Sequence, residues 1–383
     1  MNDMIVREKN LWIFNAGSSF AGNPKWLFEY IVRHRQEITP VWMCYESSTQ
    51  QYISKLGYRA ELYLSESGKT VMQRAGVYVV EMCKEIFQPE LEVITVLNVW
   101  HGVGCKSIER KVNSGFLRER IAKKYIQNND MLRNNQLFLV TSELMEEHFK
   151  EQCGIDDDKV IRAGYPRCVV QDEIASFDHD ILAQKHLDSD CRIAVYAPTY
   201  RDSNGNNFMK EALPDMERLI QTLERNKILL ILKMHPLVEK DSQYLALKET
   251  YGSSPYIYFW DNRNDIYEIF YKIDIAIVDY SSIFYDLLAR GVKTFIRYFY
   301  DIDRKENFRD FVFDLREMTC GREAVNFDDL LQALSECSET DQEELERVNQ
   351  LFWSYSREDS CETIIDRALE FVPDTREFPK LYS

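Results

Sequence analysis

The sequence of 383 residues is 45% hydrophobic and 29% charged, with a formal net charge of −16 at pH 7. A chain of this length usually forms two domains, and the composition is that of a globular protein, which excludes a disordered or fibrous one. The acidic balance argues against general nucleic-acid binding, because neutralising phosphates needs a dense face of lysine and arginine.

Apolar, β-rich runs alternate with amphipathic stretches along the whole chain, which is the pattern of parallel α/β sheets. In the first half, amphipathic helices are predicted between the strands, as at Pro24–Arg35 and Glu143–Cys153. The predicted strands of this half are Leu11–Ala16, Pro40–Tyr45, Val77–Met82, Val93–Trp100, Leu137–Thr141 and Val160–Ala163.

The alternation restarts after a polar stretch around Asp172 to Asp190, which we predict to be a linker. The strands predicted after it are Ile193–Ala197, Ile228–Lys233, Tyr256–Phe259, Ile275–Asp279 and Thr294–Tyr298. A charged helical segment follows, and no strand is predicted after it. We therefore expect two Rossmann-like, doubly wound parallel sheets in domains 1–170 and 171–340, and a helical segment at 341–383.

The nine cysteines stand singly, with no CxxC pair, so we expect reduced thiols in a cytosolic compartment and no metal site. The polar start of the chain does not have the pattern of a signal peptide. No run approaches the roughly 20 apolar residues that a membrane span needs. Any contact with a membrane is therefore expected to be peripheral.

The first candidate site follows a strand of the first half, since ligands of open α/β sheets bind beyond the carboxyl ends of strands. Trp100 and His101 stand there, before Gly102 and Gly104. Glycines let the backbone turn sharply or approach a ligand closely. We expect His101 to face the cleft, although an isolated histidine is more often structural.

The second candidate site follows the strand at Ile193–Ala197 and offers Thr199, Arg201 and Asp202. The planar fork of arginine suits phosphate, because it donates two hydrogen bonds at once. The alternative is a surface loop with an Arg201–Asp202 pair.

Two more strand ends of the second half carry polar side chains. Lys233 and His235 are two residues apart, so both can reach one anion. Asp279 is followed by Ser281 and Ser282 before a predicted helix, where free amides can hold phosphate. Taken alone, this last motif is better explained as a helix N-cap.

Other features carry less. The glycine-rich start at Gly17–Gly22 lacks the Walker lysine and the GxGxxG spacing. A basic segment runs against the acidic trend and is either a solvated helix face or a surface for anionic lipid or a polyanionic acceptor. Its basic residues are Lys106, Arg110, Lys111, Arg118, Arg120, Lys123 and Lys124.

With WHG at 100–102, YAPTYRD at 196–202, KMHP at 233–236 and DYSS at 279–282, the chain resembles the CDP-glycerol glycerophosphotransferase family of teichoic-acid and capsule enzymes. Lesser matches are GNPK at 22–25, GYPR at 164–167, and Tyr300-Asp301 through Phe313-Asp314. The resemblance covers roughly residues 10 to 320.

The resemblance implies a GT-B fold, with the CDP donor held mainly by the second domain and the acceptor on the side of the first. It implies that His101 is the catalytic base and that His235, Ser281 and Ser282 meet the donor phosphates. It also implies a peripheral protein at the inner face of the cell membrane. The family usually has TPLK after WHG, where this chain has VGCK, and Asn-Asp after GYPR, where it has Cys168-Val169.

The expected reaction is transfer of glycerol phosphate or ribitol phosphate from a CDP-alditol to a hydroxyl of a lipid-linked or polymeric acceptor, with release of CMP. No cofactor and no required divalent ion are expected. One alternative is a nucleotide-sugar glycosyltransferase of the same fold, since a fold does not fix chemistry. An alternative of another class is a non-catalytic protein that binds anionic polymer or serves as a scaffold.

Overall fold

The computed structural model describes residues 4–82, 89–91, 94–112, 118–119, 137–170, 180–201, 208–304, 311–372 and 375–379. Within these ranges the chain forms two parallel sheets, each with helices packed against it.

The first sheet follows the doubly wound pattern. Its parallel strands are β1 (Met4–Phe14), β2 (Thr39–Cys44), β3 (Ala60–Leu62), β4 (Ala75–Val80), β5 (Thr95–Asn98), β6 (Leu137–Val140) and β7 (Val160–Arg162). Their order is β3-β2-β1-β4-β5-β6-β7, so the winding reverses between β1 and β4. Every residue of β4, β5 and β6 is buried, as expected for strands covered on both faces.

Five helices accompany these strands in the described part of the first half. They are α1 (Gly22–His34), α2 (Ser47–Lys55), α3 (Glu66–Arg74), α4 (Glu143–Cys153) and α5 (Pro166–Val169). Ser65 and Ser142 cap α3 and α4 by accepting a backbone N–H, which satisfies one of the free donors at each helix start.

The second sheet repeats the pattern. Its strands are β8 (Arg192–Tyr196), β9 (Ile228–Leu232), β10 (Ile257–Phe259), β11 (Ile275–Val278), β12 (Thr294–Tyr298) and β13 (Arg322–Ala324), in the order β10-β9-β8-β11-β12-β13. Its helices are α6 (Ile181–Gln184), α7 (Phe208–Ala212), α8 (Met216–Arg225), α9 (Ser242–Tyr251), α10 (Ile283–Ala289) and α11 (Phe327–Glu336).

The last part of the chain returns to the first domain. It contains α12 (Gln342–Phe352), α13 (Ser360–Phe371) and β14 (Thr375–Pro379), and β14 pairs antiparallel with the first residues of β1. The prediction of a purely helical segment at 341–383 is therefore wrong. A short segment with charges and a proline is typical of an edge strand, and its pairing partner lies at the other end of the chain.

Strand β1 begins at Met4, seven residues before the predicted start at Leu11, and the other differences from the predicted strands are smaller. Strands β3 and β13 lie outside the predicted set, because their segments AEL and REA each contain a glutamate and form no apolar run. Of the predicted linker, residues 171–179 lie outside the described residues, and α6 occupies part of the remainder. The domain limits at 170 and 340 stay predictions.

The two domains meet at a buried ionic cluster. Lys25 of α1 forms ion pairs with Glu268 and, at 3.7 Å, with Asp265 of the second domain. Trp26 donates its indole N–H to Asp265 at 3.0 Å. Lys25 and Glu268 are 1% and 3% exposed. Since buried charges are costly unless they are paired, the cluster favours one arrangement of the domains.

Glu29 lies one turn after Lys25 on α1 and is 1% exposed. Its Oε2 atom is buried without a hydrogen-bond partner. Burial raises the pKa of Glu29 from 4.5 to about 7, although Lys25 acts in the opposite direction. The neutral acid is thus the form that suits the folded protein.

This pKa predicts a pH-dependent effect of Glu29→Gln. Because the pKa of Glu29 is higher in the folded than in the unfolded protein, its contribution to the free energy of unfolding is fully present below pH 4.5. That contribution is lost as pH rises through about 7. The variant should match the parent near pH 5 and exceed its stability by up to about 3 kcal/mol at pH 8. Urea unfolding at both pH values measures the difference. The control is Glu147→Gln on the exposed side of α4. A stability difference that does not change with pH would contradict the prediction.

Candidate active site

The loop after β5 belongs to the first domain and contacts the second. Cys105 Sγ lies 2.8 Å from the Tyr285 hydroxyl of α10, and Lys106 Nζ lies 3.4 Å from Thr199 Oγ1. A Cβ atom added to Gly102 would lie 3.2 Å from Ser282 Oγ. The structure thus brings the WHG motif of one sheet together with strand ends of the other, at a shared cleft.

His101 is exposed at this cleft, and its Nδ1 atom lies 2.6 Å from the backbone carbonyl oxygen of Glu81. A carbonyl oxygen only accepts hydrogen bonds, so Nδ1 of the neutral ring carries the proton. The lone pair is then on Nε2. This tautomer suits a general base.

The backbone around His101 is held in an unusual conformation. Trp100 has a φ of 49°, in the left-handed region that bulky residues rarely adopt, and Gly102 has a φ of 150°. Trp100 is 2% exposed and its ring packs against Phe138 and Phe149. The buried tryptophan anchors the loop, while the next residue is turned out into the cleft.

Arg201 is buried, whereas the sequence predicted that its side chain faces a phosphate or the solvent. It is 0% exposed and donates two hydrogen bonds of 2.9 Å to Asp301, and it also pairs with Asp279. Burial lowers the pKa of Arg201, but these two carboxylates more than offset it, and the net shift is upward. This arrangement argues against the prediction that Arg201 binds donor phosphate, because two aspartates already occupy its guanidinium.

Asp279 and Thr199 belong to the same buried arrangement. Asp279 is 1% exposed, and it accepts hydrogen bonds from the Thr199 backbone N–H and hydroxyl, both at 2.9 Å. Asp279 thus holds the strand end together, and these contacts argue against its predicted role as a ligand of the donor. Thr199 reaches the cleft through its contact with Lys106. Asp202 lies outside the described residues.

His235 follows β9 and is exposed. Its Nδ1 atom accepts the Leu237 backbone N–H at 3.2 Å, so Nε2 carries the proton of the neutral ring. Its ring centroid lies 5.2 Å from that of Tyr200. His235 therefore presents a donor, where His101 presents an acceptor.

Lys233 and the two serines complete the predicted set. Lys233 is half-buried, and burial lowers its pKa. Ser281 and Ser282 precede α10, and Ser282 is the N-cap residue, but its side chain makes no capping hydrogen bond. The Ser282 hydroxyl instead lies beside Gly102 across the cleft.

The described residues of the basic segment lie in two places. Lys106 lies in the cleft, with Nζ 4.8 Å from the Tyr280 ring centroid, which argues against a membrane contact for this residue but leaves a contact with the acceptor open to it. Arg110, Lys111 and Arg118 are exposed, and Lys111 pairs with Glu151 at 2.7 Å. Arg120, Lys123 and Lys124 lie outside the described residues.

Two further properties of the described residues bear on other functions. No group of three His, Cys, Asp or Glu side chains in them is placed to hold a metal ion. None of the helices in those same ranges is both long and apolar enough to cross a bilayer.

Two residues that were not predicted as site residues also shape the site. Asn23 and Arg167 are 0% and 5% exposed, and both bond to the backbone of the loop that carries His101. The only sequence signal for them is their presence in the lesser motifs GNPK and GYPR. Nothing local in the sequence indicates that they contact this loop.

Sequence comparisons identify relatives across most of the chain. The profile described as CDP-Glycerol:Poly(glycerophosphate) glycerophosphotransferase matches residues 2–370. A teichoic acid poly(glycerol phosphate) polymerase of Bacillus spizizenii is 22% identical over 96% of this chain and 93% of its own length. The corresponding polymerase of Bacillus subtilis is 25% identical over 88% of this chain, but the chain spans only 45% of that protein.

Solved structures share the architecture. One of the wall teichoic acid polymerase TagF has a TM-score of 0.77 at 22% identity, covering 96% of this chain and 90% of that one. A complex of S. aureus MnaA with UDP has a TM-score of 0.55 at 12% identity, over 92% and 93% of the two chains. These likenesses concern the fold alone, and they confirm the predicted GT-B-like class.

The position of Arg201 predicts what its removal does. Arg201→Ala leaves Asp279 and Asp301 buried without their cation, which should cost about 3–5 kcal/mol of folding stability. Thermal unfolding without ligand measures this loss.

The control is Lys106→Ala. Its free energy of unfolding should lie within about 0.5 kcal/mol of that of the parent, since substitution of a partly exposed residue usually changes stability little. An Arg201→Ala protein as stable as the parent, with only its donor affinity reduced, would restore the phosphate-binding role.

Proposed function

The chain belongs to the CDP-glycerol:poly(glycerophosphate) glycerophosphotransferase family, as its four strand-end motifs predict, and we propose that it transfers glycerol phosphate or ribitol phosphate from a CDP-alditol. The acceptor is a hydroxyl group of a lipid-linked or polymeric substrate in teichoic-acid or capsule-type polymer synthesis. The observation that carries the proposal is the pair of exposed strand-end histidines, one prepared to accept a proton and the other to donate one.

In this reaction, the acceptor hydroxyl attacks the phosphorus atom that bears the alditol. Nε2 of His101 takes the hydroxyl proton as the new O–P bond forms, because an alcohol is a weak nucleophile without a base. The bond from this phosphorus to the bridging oxygen of CDP breaks, and CMP leaves with the bonding electrons. Nε2–H of His235 donates to the phosphates, where negative charge accumulates.

The cations that meet the donor are Lys106 and Lys233, since Arg201 is fully engaged elsewhere. Lys106 reaches the cleft from the first domain, and Lys233 lies at the end of β9 in the second. An anionic donor stabilises the charged form of Lys233, whose pKa burial lowers. Ser281 and Ser282 add hydroxyl groups at the start of α10.

We further propose that the protein works on the cytoplasmic side and contacts the inner face of the cell membrane peripherally. Exposed Arg110 and Arg118 lie in the basic segment, and clustered basic residues bind anionic lipid. Sedimentation with anionic and with neutral vesicles tests this, and equal binding to both would contradict it.

Donor identity is the central prediction. With a polymeric alditol-phosphate acceptor, CDP-glycerol or CDP-ribitol should yield CMP, and UDP-sugars should yield no UDP. Release of UDP with transfer of a sugar would instead establish a glycosyltransferase, and no turnover of any donor would favour a binding protein. We propose that no cofactor or divalent ion is needed, so the rate should persist in EDTA.

His101→Ala should reduce kcat by about 10²–10⁴, the usual contribution of a general base, and leave donor affinity close to that of the parent. Steady-state kinetics and donor titration by calorimetry measure the two effects. The matched control is His186→Ala, an exposed histidine after α6. Full activity of the His101→Ala protein would remove this residue from the mechanism.

A further inference from the structure

We propose that Asn23 is a positioning residue, which holds the strained loop of His101 in the conformation that turns the imidazole into the cleft. The inference rests on the proposed function, because it assigns Asn23 a role through the base of that reaction. Asn23 itself is 0% exposed and lies in the first turn of α1, so it does not meet substrate.

The contacts of Asn23 are directed at the backbone of this loop. Its Nδ2 atom donates to the carbonyl oxygens of Val99 at 3.1 Å and Trp100 at 2.8 Å. These are the two residues directly before His101, and Trp100 carries the left-handed φ of 49°. A residue in that region is costly unless its surroundings hold it there, and buried carbonyls require donors. The Asn23 amide meets both needs, because it donates to the two carbonyls and so holds Trp100 in this conformation.

The Oδ1 end of the Asn23 amide is linked to Arg167 of α5, which lies close to the predicted domain limit at residue 170. Its Oδ1 atom accepts the Arg167 backbone N–H at 3.3 Å. The Arg167 guanidinium donates to the His101 carbonyl oxygen at 2.8 Å and to Asp286 Oδ2 of α10 at 2.7 Å. Three consecutive carbonyls, at residues 99, 100 and 101, are therefore held by Asn23 and Arg167.

The link to Asp286 ties the loop to the second domain. Tyr267 donates its hydroxyl to Asp286 at 2.5 Å, and its ring lies 4.3 Å from the Arg167 guanidinium carbon. Asp286 is in the helix that follows Ser282. The base and the donor-side helix are thus fixed to the same buried group.

Asn23→Asp is the variant that tests the proposal. It keeps the Oδ1 acceptor and the size of the side chain, but it replaces the amide donor with a carboxylate oxygen that repels the two carbonyls. We expect kcat to fall 10- to 100-fold and the KM for CDP-glycerol to stay within two-fold of the parent.

Asn15→Asp is a matched control. Asn15 is also 0% exposed, and its Nδ2 donates at 3.0 Å to two backbone carbonyls, those of Gly17 and Met43. The substitution therefore makes the same chemical change in the same domain, away from the loop of His101. We expect a comparable drop in Tm and a kcat within three-fold of the parent. A kcat loss in Asn15→Asp equal to that in Asn23→Asp would overturn the proposal.

A double-mutant cycle with His101→Ala separates positioning from a general structural effect. If Asn23 acts through His101, Asn23→Asp should lower kcat less than two-fold further in the His101→Ala background. A loss as large as in the parent background would overturn the proposal. Full activity of the His101→Ala protein would show that His101 is not the base. That measurement does not involve any Asn23 variant, so the two proposals can fail separately.

A crystal structure of the Asn23→Asp protein gives a readout that does not depend on activity. Trp100 should leave the left-handed region, and the His101 ring should lose its contact with the Glu81 carbonyl. An unchanged loop would overturn the inference even if the reaction is as proposed. If Asn23→Asp does not fold, Arg167→Lys replaces it, because the lysine side chain ends one bond short of the Arg167 nitrogen that donates to both His101 and Asp286, and the same kcat and KM pattern is expected.

Discussion

The ion pair between Arg167 and Asp286 is the interaction on which the cleft depends. It is buried, it joins the domain junction to α10, and the same guanidinium holds the carbonyl of His101. Breaking a buried pair leaves an uncompensated charge, so arrangements of the domains that separate Arg167 from Asp286 are disfavoured. The Lys25 cluster imposes a second requirement of the same kind between the domains. Two parallel sheets could face each other in many ways, and these buried charges select the one in which the strand ends meet.

Backbone groups then decide the chemistry of the two histidines. A carbonyl oxygen of Glu81 faces Nδ1 of His101, and a backbone N–H of Leu237 faces Nδ1 of His235. Because one is an acceptor and the other a donor, the rings are held in opposite tautomers, and each exposes the opposite function on Nε2. Similar strand-end positions thus yield a base and a hydrogen-bond donor, according to the backbone group that faces each Nδ1.

The sequence predicted most of the fold because the buried strands are local, apolar runs, such as Ile228–Leu232. It could not predict β14, whose partner is the first strand of the chain, nor the role of Arg201. An arginine after a strand has the same local pattern whether a phosphate or an aspartate faces it. Here the partner is Asp301, 100 residues further along. Motifs located the cleft, but long-range pairing decides which of their residues remain available to a ligand.

The same reasoning applies where the chain departs from its family. Val103 and Cys105 replace residues of the usual TPLK continuation, yet they are 1% and 3% exposed, and Cys105 contacts Tyr285 of the second domain. Cys168, the other departure, contacts Asp286 through its sulfur at 3.6 Å. Cys105 and Cys168 therefore lie in the packing between the domains, whereas the departing Gly104 is partly exposed beside Ser282. Lys106, which the departure retains, still brings its charge to the cleft. Positions 103, 105 and 168 are thus buried positions, and two of them contact α10 of the second domain.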